Sequence, residues 1–413
     1  MFIMRQTSYI PRPVFDSKIK QFLEESPTVI LLGARQVGKT TLARRFSDGL
    51  DKVHYFDLER AASRAALSTP ELTLSELSGT VVIDEIQRMP QLFETLRPLC
   101  DRPGNPARFL LLGSASPDIV KGVSESLAGR ALFINVPGFS LGEVGNDSQN
   151  PLWLRGAFPR SFLAPNDDAS MRWREAFVQT FLERDMPLLG VRTPPERLRR
   201  FWMMVSHYHG AVWNGSEIAR SVGVSLPTIR HYLDILAGGY ILRVLPPWFE
   251  NIKKRQVKSP KVYIRDTGLL HSMLGIDSMA ALRSHPSYGA SWEGFALEQI
   301  LILFGHPNAC YWRTHRGAEL DLMIFHKGKR LGFEFKCADA PVMTRSMHTA
   351  LRDLKLDRLH VIYPGSKSYP IHEKAHATPL SRAAALLPRG NFTPGAFPPS
   401  KNKKDPKKKE DNP

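Results

Sequence analysis

Along the first 140 residues, short runs of apolar residues alternate with stretches whose apolar positions recur at three and four. The runs at 29–32, 53–58, 79–83, 108–112 and 131–136 read as strands, and the stretches between them as helices. A short amphipathic segment around 15–23 precedes the first run. This alternation predicts an α/β fold, a parallel sheet covered by helices. Residues 141–170 hold Gly142, Gly145, Asn146, Pro151 and Pro165 and predict a loop-rich boundary. Beyond it the period is helical, with Trp173, Phe177, Phe181 and Leu182 as an apolar stripe most simply read as core, continued over 196–208. Two more helical stretches meet at a turn containing Gly223. Ile218, Ala219, Val222, Val224, Ile229 and Leu233 fall where a helix-turn-helix buries its core, and the strand-like 240–244 suggests a winged form. A helix at 292–300 and strands at 317–324 and 331–336 follow.

The first candidate chemistry lies between the first strand and the next helix. Gly33-Ala34-Arg35-Gln36-Val37-Gly38-Lys39-Thr40, with Thr41 following, matches the phosphate-binding loop pattern G-x-x-x-x-G-K-[ST]. Its glycines let the backbone wrap closely and aim N–H groups inward, and the helix N-terminus adds partial positive charge. Lys39 is expected to reach the β- and γ-phosphates of ATP, and the Thr40 hydroxyl to hold Mg²⁺. The run 79–83 ends in Asp84 and Glu85, acids at the C-terminal edge of a buried strand. Asp84 suits the Mg²⁺ shell and Glu85 a general base for the attacking water.

Softer candidates follow. Ser114 or Ser116 fits a water-orienting sensor if their strand lies between the two just described, or a helix cap ahead of Pro117 and Asp118. Arg130 reads either as a neutraliser of γ-phosphate charge, in its own or a neighbouring subunit, or as a surface residue. On the second helix of the helix-turn-helix, Thr228, Arg230 and His231 are expected to face outward towards a DNA major groove, with Lys253, Lys254, Arg255 and Lys258 on phosphates. The alternative is a unit used only for protein packing. In the last region Glu293 and Glu298 share a helix, Asp321 lies on one strand, and Glu334 and Lys336 share a face of the next. Asp321 and Glu334 on Mg²⁺ with Lys336 on water would make a metal-dependent nuclease centre; the same alternation also dresses an exposed strand face.

Charge sharpens the partner question. The 413 residues carry a formal net charge of +16, and 190–261 hold twelve Lys and Arg against four Asp and Glu. An anionic partner such as double-stranded DNA is therefore expected, with a protein partner as the alternative. Cys100, Cys310 and Cys337 form neither a zinc pattern nor a disulfide framework. The start Met1-Phe2-Ile3-Met4-Arg5-Gln6 lacks a signal-peptide core, and no apolar run approaches the ~20 residues that span a bilayer. The expectation is a cytoplasmic protein with no membrane partner.

Taken together the chain resembles a large prokaryotic family of AAA-like ATPases with a C-terminal domain of unknown function, over nearly all of residues 5–365. The resemblance rests on the 33–41 loop, Asp84-Glu85-Ile86-Gln87, Ser126-Leu127-Ala128-Gly129-Arg130 and Leu182-Glu183-Arg184-Asp185-Met186-Pro187. It rests also on the helix holding Glu293 and Glu298, and on Glu319-Leu320-Asp321 with Glu334-Phe335-Lys336. It implies an AAA-like ATP-binding domain at 1–140, a helical connector at 141–190 and a winged-helix-like segment at 191–265. A C-terminal α/β domain similar to the PD-(D/E)XK restriction-endonuclease fold would occupy 266–388. The proline- and lysine-rich tail 389–413 lacks apolar residues to bury, so composition predicts a disordered basic tail there. The resemblance further favours Arg130 at the phosphates; Glu298 is a candidate beside Asp321, Glu334 and Lys336 for the second site, and an oligomer is left open.

Overall fold

Six uncharged residues, Thr28–Gly33, form strand β1 and are buried along their whole length. In a computed structural model of the chain, residues 9–387 are described apart from 105, 115–121, 124, 189–190, 192, 250–256 and 306–307. Ser116, Pro117, Asp118, Lys253, Lys254, Arg255 and the tail 389–413 lie outside the described residues. After β1 come β2 (Val53–Asp57), β3 (Gly79–Asp84), β4 (Ala107–Ser114) and β5 (Ala131–Asn135). All five are parallel, in the order β2-β3-β4-β1-β5. Successive side chains point to opposite faces, so each strand feeds two cores. Val29, Leu31, Leu110 and Leu112 meet Phe15 and Ile19 of the helix Pro13–Glu25 on one face. Ile30, Leu111 and Ile83 meet Phe93 and Leu96 of the helix Leu92–Cys100 on the other. Each of these large side chains contributes about 1.5–3 kcal/mol by leaving water.

The expected loop over 141–170 is instead a chain of short helices, Leu141–Val144, Gln149–Arg155 and Pro159–Phe162. Glycine and proline punctuate them without dissolving them. Gly145 and Gly156 take positive φ at helix ends, where only glycine does so without steric cost, and Pro159 opens a first turn. The segment is held by its apolar residues: Trp153 is buried against Trp292 and Phe295, and its indole N–H donates to Ser291 Oγ at 2.8 Å.

Helix Asp167–Thr180 continues through one π turn, Phe181–Asp185, into the short helix Met186–Leu188, and with Pro195–His207 it extends the first core. The pair Gly215–Val222 and Leu226–Gly238 follows, with Gly223 left-handed at φ 75° between them. A small antiparallel sheet of β6 (Ala211–Val212), β7 (Leu242–Leu245) and β8 (Lys261–Ile264) closes the middle region, in the order β6-β8-β7.

The last region is a six-stranded sheet. Its strands are β9 (Ala309–Arg313), β10 (Glu319–His326), β11 (Lys329–Phe335), β12 (Arg358–Tyr363), β13 (Tyr369–His372) and β14 (Ala375–Pro379). The order is β13-β14-β12-β11-β10-β9, with β11, β12 and β14 mutually parallel. The helix Tyr288–Leu303 is apolar nearly all round and is buried accordingly. It covers one face, and Met347 and Ala350 of Arg345–Asp353 cover the other.

Candidate functional site

The 33–41 loop occupies the turn from β1 into the helix Lys39–Ser47, at the C-terminal edge of the first sheet. Both pattern glycines are sterically required. A Cβ on Gly33 would stand 2.3 Å from the Val136 carbonyl oxygen, and Gly38 has φ 98° at the helix N-cap. Lys39 is buried, and its Nζ donates to the carbonyl oxygens of Gly33 at 3.0 Å and Ala34 at 2.9 Å. Burial pushes this ammonium down to about 8, although Glu85 and Asp84 pull it up. Arg35 of the same loop forms an ion pair with Asp185 at the end of the π turn.

Two strands away, β3 delivers its acids to the same edge. Asp84 is buried; it accepts the Tyr55 hydroxyl at 2.8 Å and the Glu85 amide at 3.0 Å. Glu85 holds a left-handed backbone at φ 58°, a conformation that costs a non-glycine residue about 1 kcal/mol and re-aims its side chain. Its carboxyl accepts from Gln87 Nε2 and is raised by burial, with Lys39 opposing. β4 lies between β1 and β3, and Ser114 at its end is in register with Gly33. A cavity of about 720 Å³ opens beside Gly38 and Thr41, bordered by Tyr9, Arg45, Phe139 and Trp173.

Arg130 departs from one expectation. It precedes β5, whose Ala131 pairs with Thr28, so it stands at the opposite edge of the sheet from the loop. Five residues of strand separate the edges, roughly 17 Å. Its guanidinium makes a bidentate pair with Asp101 at 2.6 and 2.7 Å. Service to the γ-phosphate of its own subunit is therefore excluded by geometry.

On the helix Leu226–Gly238, Arg230 and His231 are exposed, while Thr228 is half-buried with its hydroxyl 2.8 Å from Ser225 Oγ in the helix cap. Lys258 is exposed. In the last region Asp321, Glu334 and Lys336 do come together: Lys336 pairs with Glu334 at 2.9 Å, and Asp321 Oδ2 accepts the Phe335 amide at 3.1 Å. Glu334 is only 4% exposed, which removes the exposed-face reading, and burial first, then Asp321, pushes its carboxyl up to about 8.

Glu298 does not join them. It sits between Arg243 and Arg265, contacting Arg265 at 3.2 Å and Arg243 through both carboxylate oxygens. Glu293 takes its place in the acidic cluster. Five helical residues turn a side chain through about 140°, so the two acids face different neighbours, a signal present in the spacing. Lys261 and Tyr263 also belong to the cluster and were overlooked; a lysine two before a tyrosine on an apolar strand marks one face. Arg35–Asp185 and Tyr55–Asp84 carry no such signal, being long-range pairs.

Comparisons with known proteins divide the chain in three. An AAA domain model matches residues 25–145, a domain of unknown function (DUF8612) matches 146–280, and a second (DUF4143) matches 288–383. The Walker-type ATPase paby2304 of Pyrococcus abyssi is similar at 16% identity and TM-score 0.47, over 65% of this chain and 97% of that one. The uncharacterized proteins Rv2008c of Mycobacterium tuberculosis and Mb2031c of Mycobacterium bovis are each 48% identical over 366 residues, 89% of this chain and 83% of theirs. The chain belongs to the family of these two mycobacterial proteins, and the part of it that carries the phosphate-binding loop is a P-loop AAA domain.

Proposed function

We propose that this protein is a Mg²⁺-dependent ATPase that spends hydrolysis on moving its later domains against a partner, double-stranded DNA before a protein. The observation that carries the reading is the meeting of Lys39, at a helix N-terminus, with Asp84 and Glu85 on one sheet edge. The cavity beside Gly38 is large enough for a purine nucleoside, with Tyr9 and Trp173 offering rings to the base. The Thr40 hydroxyl and the Asp84 carboxylate are hard oxygen donors, which fit Mg²⁺. Bound there, the ion would neutralise phosphate oxygens as the terminal bond breaks. Lys39 would exchange its two carbonyls for the β- and γ-phosphates. Glu85, its carboxyl raised by burial, would orient water and take its proton. Ser114 fits the sensor position beside the loop. Arg130 would act only on nucleotide held by a neighbouring subunit, so this role requires an oligomer.

The partner reading rests on charge, eight net positive charges over 190–261, and on exposed Arg230 and His231. The test is phosphate release by the full chain with and without duplex DNA, beside Lys39→Ala. Turnover that Lys39→Ala abolishes supports the ATPase, and stimulation by DNA supports the partner. Turnover surviving in Lys39→Ala contradicts the first, and indifference to DNA contradicts the second.

A further inference from the structure

The acidic cluster of the last region has a cation of its own, supplied by another part of the chain. Lys261 enters from β8 of the middle sheet and is 3% exposed. Its Nζ lies 3.0 Å from Glu293 Oε1, 2.5 Å from Glu319 Oε1 and 3.4 Å from Asp321 Oδ1. One ammonium thus faces three carboxylates from a helix and a strand. Further donors reach the same carboxylates. Tyr263 Oη donates to Glu293 Oε1 at 2.6 Å, Arg313 Nε lies 3.5 Å from Glu319 Oε2, and the Phe335 amide takes the second oxygen of Asp321. Lys336 pairs with Glu334.

The nuclease-like resemblance implies Mg²⁺ on Asp321 and Glu334, and these residues do not fit it. A divalent ion needs carboxylate oxygens at about 2.0–2.6 Å with open lone pairs. Here Asp321 is committed to an ammonium and an amide, and Glu334 to an ammonium. Four carboxyls already face Lys261, Lys336 and Arg313, so a further double charge would have to displace a buried lysine from a site where removing one partner strands the rest.

We infer that Lys261 is the resident cation of this centre, so that the cluster ties the middle sheet to the C-terminal sheet instead of holding a catalytic metal. It forms the ionic joint through which β8 and the helix Tyr288–Leu303 move together. The centre is distinct from the phosphate-binding loop, so this inference stands or falls independently of ATP hydrolysis.

The test is Mn²⁺ binding to the full chain without nucleotide, by calorimetry and by loss of the free-ion electron paramagnetic resonance signal. Wild type and Asp321→Asn are expected to bind Mn²⁺ identically. Lys261→Met is expected to gain one site per chain, lost again when combined with Asp321→Asn. A wild-type site that Asp321→Asn removes would overturn the inference, as would a folded Lys261→Met that gains none. Should Lys261→Met fail to fold, the comparison of wild type with Asp321→Asn decides alone.

Discussion

In the proposed nucleotide site Lys39 would contribute most through what it must give up. Its ammonium rests on two loop carbonyls, in a place buried enough to lower it to about 8. Polyphosphate supplies negative charge at the same spot and would raise it again, so binding takes up a proton wherever free Lys39 is deprotonated. The sign follows: ATP affinity is expected to be greatest below pH 8 and to fall above it, approaching tenfold per pH unit. Titration of a fluorescent ATP analogue from pH 7 to 9.5 measures this. A flat profile, or one that rises with pH, contradicts the role given to Lys39. Gly33 makes a second expectation. Gly33→Ala drives a methyl against the Val136 carbonyl, and a loss of about 2–3 kcal/mol is expected in denaturant unfolding. Retained stability would mean that the loop yields more easily than its contacts imply.

The helix Tyr288–Leu303 shows how one element serves two ends of the molecule. Glu298 is held by Arg243 and Arg265 near the small cavity under Ala34 and Val37, whereas Glu293 belongs to the Lys261 joint. Arg265 also stacks on Tyr240, whose hydroxyl donates to Asn135 at the end of β5. Glu298→Gln leaves two part-buried guanidinium groups without their carboxylate, and a loss of roughly 2–3 kcal/mol is expected. Thermal unfolding checks it; an unchanged midpoint would show that Glu298 is not structural. Much of this element level was legible in the sequence. Short apolar runs marked all five strands of the first sheet, and the three-to-four period marked the glycine-centred helix pair. The P-loop was legible because its pattern is contiguous: nine successive residues carry the glycines, the lysine, the hydroxyls and the helix terminus. Loop-rich 141–170 was misread because glycine and proline can punctuate short helices as well as loops, and only burial of Trp153 distinguishes them. For Glu293 and Glu298 the spacing shows that the two acids diverge on their helix, but not which of them turns to the second centre. Lys261 was overlooked because it reaches its partners across 32 and 60 residues of sequence.

At the scale of the whole molecule the P-loop domain, the middle helices and the C-terminal sheet form a continuous chain of contacts, from Arg35–Asp185 to Lys261–Asp321. No helix among the described residues is long and apolar enough to cross a membrane. The positive charge gives the partner proposal a quantitative form. If DNA stimulates turnover through phosphate contacts, its apparent affinity should fall steeply with salt, and Arg230→Ala should lower the log–log slope by about 1. An unchanged slope would remove Arg230 from the interface. The central claim is that Lys39 and Glu85 divide binding from hydrolysis on one sheet edge, and the most direct measurement is single-turnover ATP cleavage by Glu85→Gln. The expected result is a variant that retains ATP as wild type does, needs Lys39 for that retention, and releases no phosphate. Phosphate release at the wild-type rate from Glu85→Gln would contradict the assignment.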